Sequence, residues 1–282
     1  MKSCLYSVLL FKYPLDEIFK FANEIGCTGV EIMGKGWKGT HIGSDSNLFY
    51  MKKLKQLASD MKLEIVDVAT YVDGFCDRSD ADCNLQFAEL QKYLDIADIL
   101  GSKYVRVGPG ATPVKDAQEY HYAKAAYWLR KCCDEAKKHD KKLLMEIHFG
   151  GIIENADSTL KLLKLVDREN IGITFDPANW LCQGVAYDVE TMKRLNKYIW
   201  HFHVKDVKIL KEKKPGCVEV EGRFSEFVAL GDGDMEYKQY FRELKKNKYD
   251  GYITIESHAS GWDLKDLAKN DNEKVKKLWA EA

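Results

Sequence analysis

Short, densely apolar segments alternate along this chain with longer segments whose apolar positions recur at helical spacing. The strand-like segments are Cys4–Phe11, Gly29–Met33, Leu63–Ala69, Tyr104–Gly108, Lys142–His148, Gly172–Asp176, Ile199–Val204 and Tyr252–Glu256, most of them bounded by Gly, Pro, Asp or Asn. Helix-period patterns cover Leu15–Ile25, Leu48–Met61, Asn84–Leu100, Asp116–His139, Ser158–Val166, Val189–Tyr198 and Tyr237–Lys246, and a last one runs from Leu264 to Leu278. Pro14 beside the first helix start and Gly101 just past the third helix are the usual start and stop residues. Eight strands alternating with eight helices predict an α/β chain whose residues 1–282 form one domain, a single (β/α)8 TIM barrel. No G-x-G-x-x-G opens the first helix, which counts against a doubly wound open sheet. One connection is overlong, at about 205–235 after the seventh strand, and its place at the end of a barrel strand predicts a substrate lid.

Composition narrows the function classes. A hydrophobic fraction of 45% with 12% aromatics supplies a full core. The net charge of −1 balances 43 basic against 44 acidic residues, and lysine runs such as Lys52-Lys53-Leu54-Lys55 are broken by apolar or acidic residues. No nucleic-acid footprint follows from that pattern. The eight cysteines contain no C-x-x-C pair, so reduced thiols in a reducing compartment are expected. The apolar run Leu5 to Phe11 is too short for a membrane span, and Lys12, Pro14, Asp16 and Glu17 follow it at once. The expectation is a cytoplasmic protein without a membrane partner, and homo-oligomerisation is left open.

Four strand-like segments in the second half end in residues of metal-ligand type: Glu146, Asp176, His203 and Glu256. Asp176 follows Glu146 by 30 residues, His203 follows 27 later, and Glu256 follows 53 later across the long connection. A βα unit of about thirty residues explains the first two intervals. Parallel strands of one barrel would bring these ends together at the face where barrel active sites lie. The set suits one divalent cation, with Mn²⁺ placed ahead of Mg²⁺, Co²⁺ and Zn²⁺. Asp176, just before Pro177, could also cap the following helix.

The motifs Met145-Glu146-Ile147-His148, Thr174-Phe175-Asp176-Pro177-Ala178-Asn179, His201-Phe202-His203-Val204-Lys205-Asp206, Gly231-Asp232-Gly233-Asp234 and Tyr249 to Glu256 stand in one order along nearly the whole chain. In that arrangement the chain resembles the xylose isomerase-like barrel superfamily, specifically its sugar phosphate isomerase/epimerase group. The resemblance implies a metal on Glu146, Asp176, His203 and Glu256, with the second His of the H-x-H-x-K-D segment as ligand. It also implies isomerisation or epimerisation of a small carbohydrate or related keto-polyol, by removal of a proton beside the ketone to give an enediolate. Glu146 and Glu256 are then the expected acid/base pair, and His148, on the same side of its strand as Glu146, is a further catalytic candidate that could serve as a base. His148, Asn179, His201 and Lys205 are expected substrate contacts, with Lys208 as a further cation. Glu31 is expected to support the site, and Trp37, Phe149, Trp180 and Trp262 to offer aromatic walls.

Two positions depart from the ketose 3-epimerases of that group. Asn179 stands where a His commonly follows the Asp ligand, and Lys205 and Lys208 are the nearby cations where an Arg is usual. Arg and Lys are not interchangeable on paired oxygens. Two alternatives stay open. One is a metal-dependent lyase, either a keto-inositol dehydratase or a deglycosylase of carbon-linked 3-oxo-glycosides; the other is a non-catalytic sugar-binding barrel.

Overall fold

The computed structural model describes residues 1–36 and 38–282. Its barrel strands are Lys2–Tyr6, Gly29–Met33, Glu64–Val72, Tyr104–Val107, Lys142–Glu146, Ile171–Phe175, Ile199–Val204 and Tyr252–Ile255. They pair in parallel in chain order, and the eighth closes on the first. The (β/α)8 TIM barrel read from the alternation is therefore the fold. Outward residues such as Val30, Ile32, Ile171 and Ile173 join the helices in one large apolar cluster. Polar residues hold much of the barrel interior: Glu31, Asp67, Arg106, Thr174, His201, His203 and Thr254 are all buried.

Local chemistry explains where elements start and stop. The third helix begins at Asp80, four residues before the apolar pattern suggests, because the Ser79 hydroxyl accepts from the Asp82 amide at 3.1 Å. The first strand ends at Tyr6 rather than Phe11, and Ser7–Leu10 turns into a short 3-10 helix. There the Ser7 hydroxyl accepts from the Met33 amide at 2.8 Å, taking the place of a main-chain ladder partner. A short helix, Pro177–Gln183, follows the sixth strand and has no counterpart among the expected elements. Its seven residues are too few to show a helical period.

The long connection after the seventh strand is a built element, and its Phe227 lines the cavity at the mouth of the barrel. Asp206–Leu210, Val218–Val220 and Arg223–Val228 form a three-stranded antiparallel sheet with the last segment in the middle. Val207 and Val220 of this sheet pack on Ala178, Leu181 and Cys182 of the short helix. The Asp206 carboxylate anchors the return path, accepting from the amides of Gly231 at 2.7 Å, Gly233 at 3.1 Å and Met235 at 3.2 Å. A Cβ on Gly233 would lie 2.3 Å from Asp206 Oδ1, so glycine is required at that close approach.

A second close approach sits in the barrel wall and generates a stability prediction. A Cβ on Gly172 would meet the Trp200 ring at 2.4 Å and the Tyr198 carbonyl at 2.8 Å. Main chain cannot swing away as a side-chain tip can. Gly172→Ala should therefore lower the unfolding free energy by about 1–3 kcal/mol, read from denaturant melts. An unchanged midpoint would mean that the sixth and seventh strands separate freely at this point.

Candidate metal centre

The parallel register carries four acceptors to one small region. Glu146 is the last residue of the fifth strand, Asp176 directly follows the sixth, His203 lies near the end of the seventh and Glu256 directly follows the eighth. One ligand atom from each lies within 4.8 Å of the others. His203 Nδ1 is 3.2 Å from Glu256 Oε2 and 3.4 Å from Glu146 Oε1. Adjacent donors on a cation with bonds of about 2.1 Å stand roughly 3 Å apart, so the spacing fits such an ion.

Each donor is oriented from behind. His203 Nε2 faces Glu31 Oε2 at 2.9 Å, which directs Nδ1 at the carboxylates. Asp176 caps the short helix through the Ala178 amide, 3.1 Å from Oδ1, while its buried Oδ2 pairs with the Lys205 ammonium at 2.7 Å. The capping reading of Asp176 and the ligand reading thus use different oxygens of one carboxylate. Lys205 Nζ also lies 3.0 Å from Glu256 Oε2. Arg106 pairs with Glu146 and donates to the Tyr6 hydroxyl at 2.8 Å.

Burial and charge pull the titrations apart. Burial alone would raise the Glu146 carboxyl, but the Arg106 guanidinium overrides it and holds it at about 2. Burial likewise opposes ionisation of Glu256, yet Lys205 and His203 keep it well below the carboxylate range. Burial outweighs Lys205 at Asp176 and raises it. Burial would discharge His203, and the Glu31 and Glu256 carboxylates instead keep its imidazole protonated well above the usual range. Asp67, buried and close to Glu31, is pushed well up, and neither of its oxygens has a hydrogen-bond partner among the described residues.

The expected substrate contacts separate into two groups. Lys205 and Asn179 line a cavity of about 330 Å³ over the ligands, as do Glu146, His148, Phe149 and Glu256. Asn179 donates to the Ile147 carbonyl at 2.9 Å, and its own oxygen has no partner. His148 is exposed at the rim, and its Nδ1–H donates to the Phe149 carbonyl at 2.9 Å. His201 lies elsewhere: it is fully buried below the ligands, with Nε2 at 2.8 Å from both Glu31 Oε2 and Thr254 Oγ1. Residues 201 and 203 both point inward, but two residues along a strand place His201 one layer down, where it does not line the cavity. Glu31, His201 and His203 form a second ligand-type group around that lower layer. Trp180 packs edge-on against Phe175 in the core, Trp262 and Lys208 are exposed, and Trp37 lies outside the described residues.

Several cavity residues escaped the sequence reading. His258 lines the cavity with Nε2 3.7 Å from Glu256 Oε1 and Nδ1 2.9 Å from Lys38 Nζ. Its signal was present, since Glu256-Ser257-His258 repeats the Glu-x-His pattern of Glu146-Ile147-His148. Arg106 had a signal too, as an arginine inside an apolar strand needs a partner. Tyr71 had none. It reaches the cavity because the third strand is irregular between Ala69 and Val72 and Tyr71 adopts a φ of 60°.

A family model described as xylose isomerase-like TIM barrel matches residues 19–278. An inosose dehydratase from Clostridium perfringens is 25% identical over 243 residues, covering 79% of this chain and 78% of that protein. Among solved structures, the IOLI protein with a bound zinc atom superposes with a TM-score of 0.81 at 17% identity, over 100% of this chain and 99% of the other. A D-tagatose 3-epimerase-like protein superposes with a TM-score of 0.79 at 21% identity, over 100% and 98%. No helix among the described residues is long and apolar enough to cross a membrane.

The donor geometry predicts a metal-dependent gain in stability. Mn²⁺ at one hundred times its dissociation constant should stabilise the fold by about 2.7 kcal/mol, and a chelator should reverse it. Thermal melts of Asp176→Asn should show most of that gain lost. Glu31→Gln should weaken binding by about 10–100-fold in a competitive chelator titration. Equal Mn²⁺ stabilisation of wild type and Asp176→Asn would remove the four-residue ligand set.

Proposed function

The chain belongs to the xylose isomerase-like TIM barrel family, and on that premise we propose that it is a divalent-metal-dependent lyase. It removes water from a ring ketone of the keto-cyclitol or keto-sugar class. The observation that carries the reading is the convergence of Glu146, Asp176, His203 and Glu256 on a cavity whose walls also hold two histidines, His148 and His258. The likeness to an inosose dehydratase supports elimination over the isomerisation that the motifs first suggest. A cation held by the four ligands, Mn²⁺ first among those the donors suit, would supply Lewis acidity to the ketone oxygen and so acidify the neighbouring C–H.

The chain's own residues divide the proton work. Glu146, held at about 2 by Arg106, is a poor proton acceptor while that ion pair lasts. His148 is better placed: a carbonyl can only accept, so its Nδ1 carries the proton and Nε2 of the neutral ring has a free lone pair. In this reading His148 takes the proton beside the ketone. The electron pair of that C–H bond becomes the new C=C, and the hydroxyl on the next carbon departs. His258 Nδ1 accepts from the Lys38 ammonium, which puts the ring proton on Nε2; that proton goes to the departing hydroxyl, which leaves as water, while Lys38 passes a proton to Nδ1. The products are an unsaturated ketone and water. Lys205 and Asn179 hold ring hydroxyls, and Lys205 also keeps Glu256 ionised.

A second reading, epimerisation or isomerisation of a carbohydrate, shares the first step and differs only in where the proton returns. Glu146 and Glu256, both lining the cavity from the ends of different strands, favour it as a proton-transfer pair.

The two readings part in one experiment. The Mn²⁺-loaded protein in D₂O is offered inososes, ketoses and 3-oxo-glycosides, and each is followed by NMR. We expect loss of water from an inosose-type ketone. His148→Ala should lower kcat by about 10²–10⁴-fold. Glu146→Gln and Glu256→Gln should abolish turnover, while Cys132→Ser in the fourth helix keeps it. An epimer labelled with deuterium and no loss of water would transfer the protein to the second reading.

A further inference from the structure

Towards the fourth strand the cavity does not end at the ligands. Tyr71, Arg106, Glu146, His148 and Phe149 line the space above them, and the same five residues line a second compartment of about 220 Å³. It lies between the connections that follow the fourth and fifth strands. Beyond the shared residues its side chains are Val107, Pro109, Ala111, Ile153 and one acid, Asp73, with glycine main chain at 108, 110, 150 and 151. The two compartments differ in chemistry. The first is ringed by Arg106, Glu146, Lys205, Glu256 and two histidines, which suits a ring bearing several hydroxyls. The second is largely apolar, and a fully hydroxylated ring pushed into it would leave hydroxyls dry and unpaired, at a cost of about 1–3 kcal/mol each.

A single ring ketone needs only the first compartment. A cavity of about 150 Å³ already accepts benzene, so the second has room for a substituted aromatic ring. We propose that the physiological substrate has two parts: a reacting ring ketone over the metal ligands, and an uncharged, mainly apolar ring substituent seated between Tyr71, Pro109, Ala111, Phe149 and Ile153. A hydroxyl or N–H on that substituent meets the Asp73 carboxyl, whose Oδ1 already accepts from the Gly74 amide at 2.6 Å. The site therefore selects ring ketones of the inosose type that carry such a substituent over the unsubstituted cyclitol. This rests on the reaction proposed above, because that reaction fixes which end of the substrate lies on the ligands.

The probes are an inosose carrying a phenyl ether on a carbon remote from the ketone, the matching methyl ether and the unsubstituted inosose, each titrated calorimetrically against the Mn²⁺-loaded protein. Burying the aryl ring should tighten binding at least about tenfold over the methyl compound. Ala111→Trp, which narrows the compartment from an exposed position on its wall, should pull that ratio towards one. Equal affinity of wild type for aryl and methyl probes overturns the proposal, as does an Ala111→Trp ratio equal to that of wild type. Proton exchange in D₂O is read on the same samples. Exchange without aryl preference leaves the reaction standing and removes the second compartment as a substrate site. Aryl preference without exchange keeps the compartment and removes the reaction.

Discussion

Acidic side chains of Glu146, Asp176 and Glu256 crowd one end of the barrel, with Glu31 and Asp67 buried just beneath. Buried carboxylates stay ionised only where positive charge meets them. Arg106 answers Glu146, Lys205 answers Asp176 and Glu256, and His203 stands between Glu31 and the two glutamates. Asp67, with no such partner among the described residues, is pushed towards its neutral form. A divalent cation at His203 Nδ1 would replace the proton held there and take over its part of the balance, and the direction of Nδ1 is set by Glu31 before any ion arrives. The architecture around the site follows from this need: strand ends supply the donors, and the layer below them supplies the countercharges.

Lyase and isomerase chemistry differ here by the fate of one proton. Both begin with removal of a hydrogen beside a ketone, and one ligand set serves both. The side chains that could return a proton are what separates them. His148 and His258 occupy equivalent places in two Glu-x-His segments, just past the ends of the fifth and eighth strands, and so approach the cavity from different sides. A histidine on each side of a ring can take a proton from one carbon and give one to a leaving hydroxyl. Two carboxylates acting directly would favour returning the proton to carbon. Arg106 weighs on this choice because its guanidinium pairs with Glu146 and lowers that carboxyl's affinity for a proton.

Much of the framework could be read before any coordinates, because parallel strands buried on both faces leave a dense apolar signal and the helices between them leave a period. Gly29–Met33 and Ile199–Val204 match residue for residue. The ligand candidates were legible for the same reason, since each sits at a strand end that the signal marks. What escaped depends on contacts between distant residues. The end of the first strand is decided by the Ser7 hydroxyl meeting Met33, and the sheet within the long connection carries Lys208, Glu219 and Glu226 among its apolar positions, which dilutes its period. His201 and His203 have the same alternation phase, so the sequence puts both in the barrel but not at their different depths. Tyr71 enters the cavity through a local backbone irregularity that no composition announces.

The interior of this barrel has a consequence for how such a chain can change over generations. Barrels of this kind usually fill their centre with branched apolar side chains, whereas here Glu31, Asp67, Arg106, His201 and Thr254 occupy it. Those residues orient the donors, and they also fill the middle of the fold. A mutation that removes one of the strand-end carboxylates strands a buried countercharge, so its cost falls on foldability as well as on the chemistry of the site. The walls made by Pro109 to Ala111 and by Phe149 to Ile153 carry no such double duty. New substrates are therefore reached by rewriting the rim, while the electrostatic centre is inherited nearly intact.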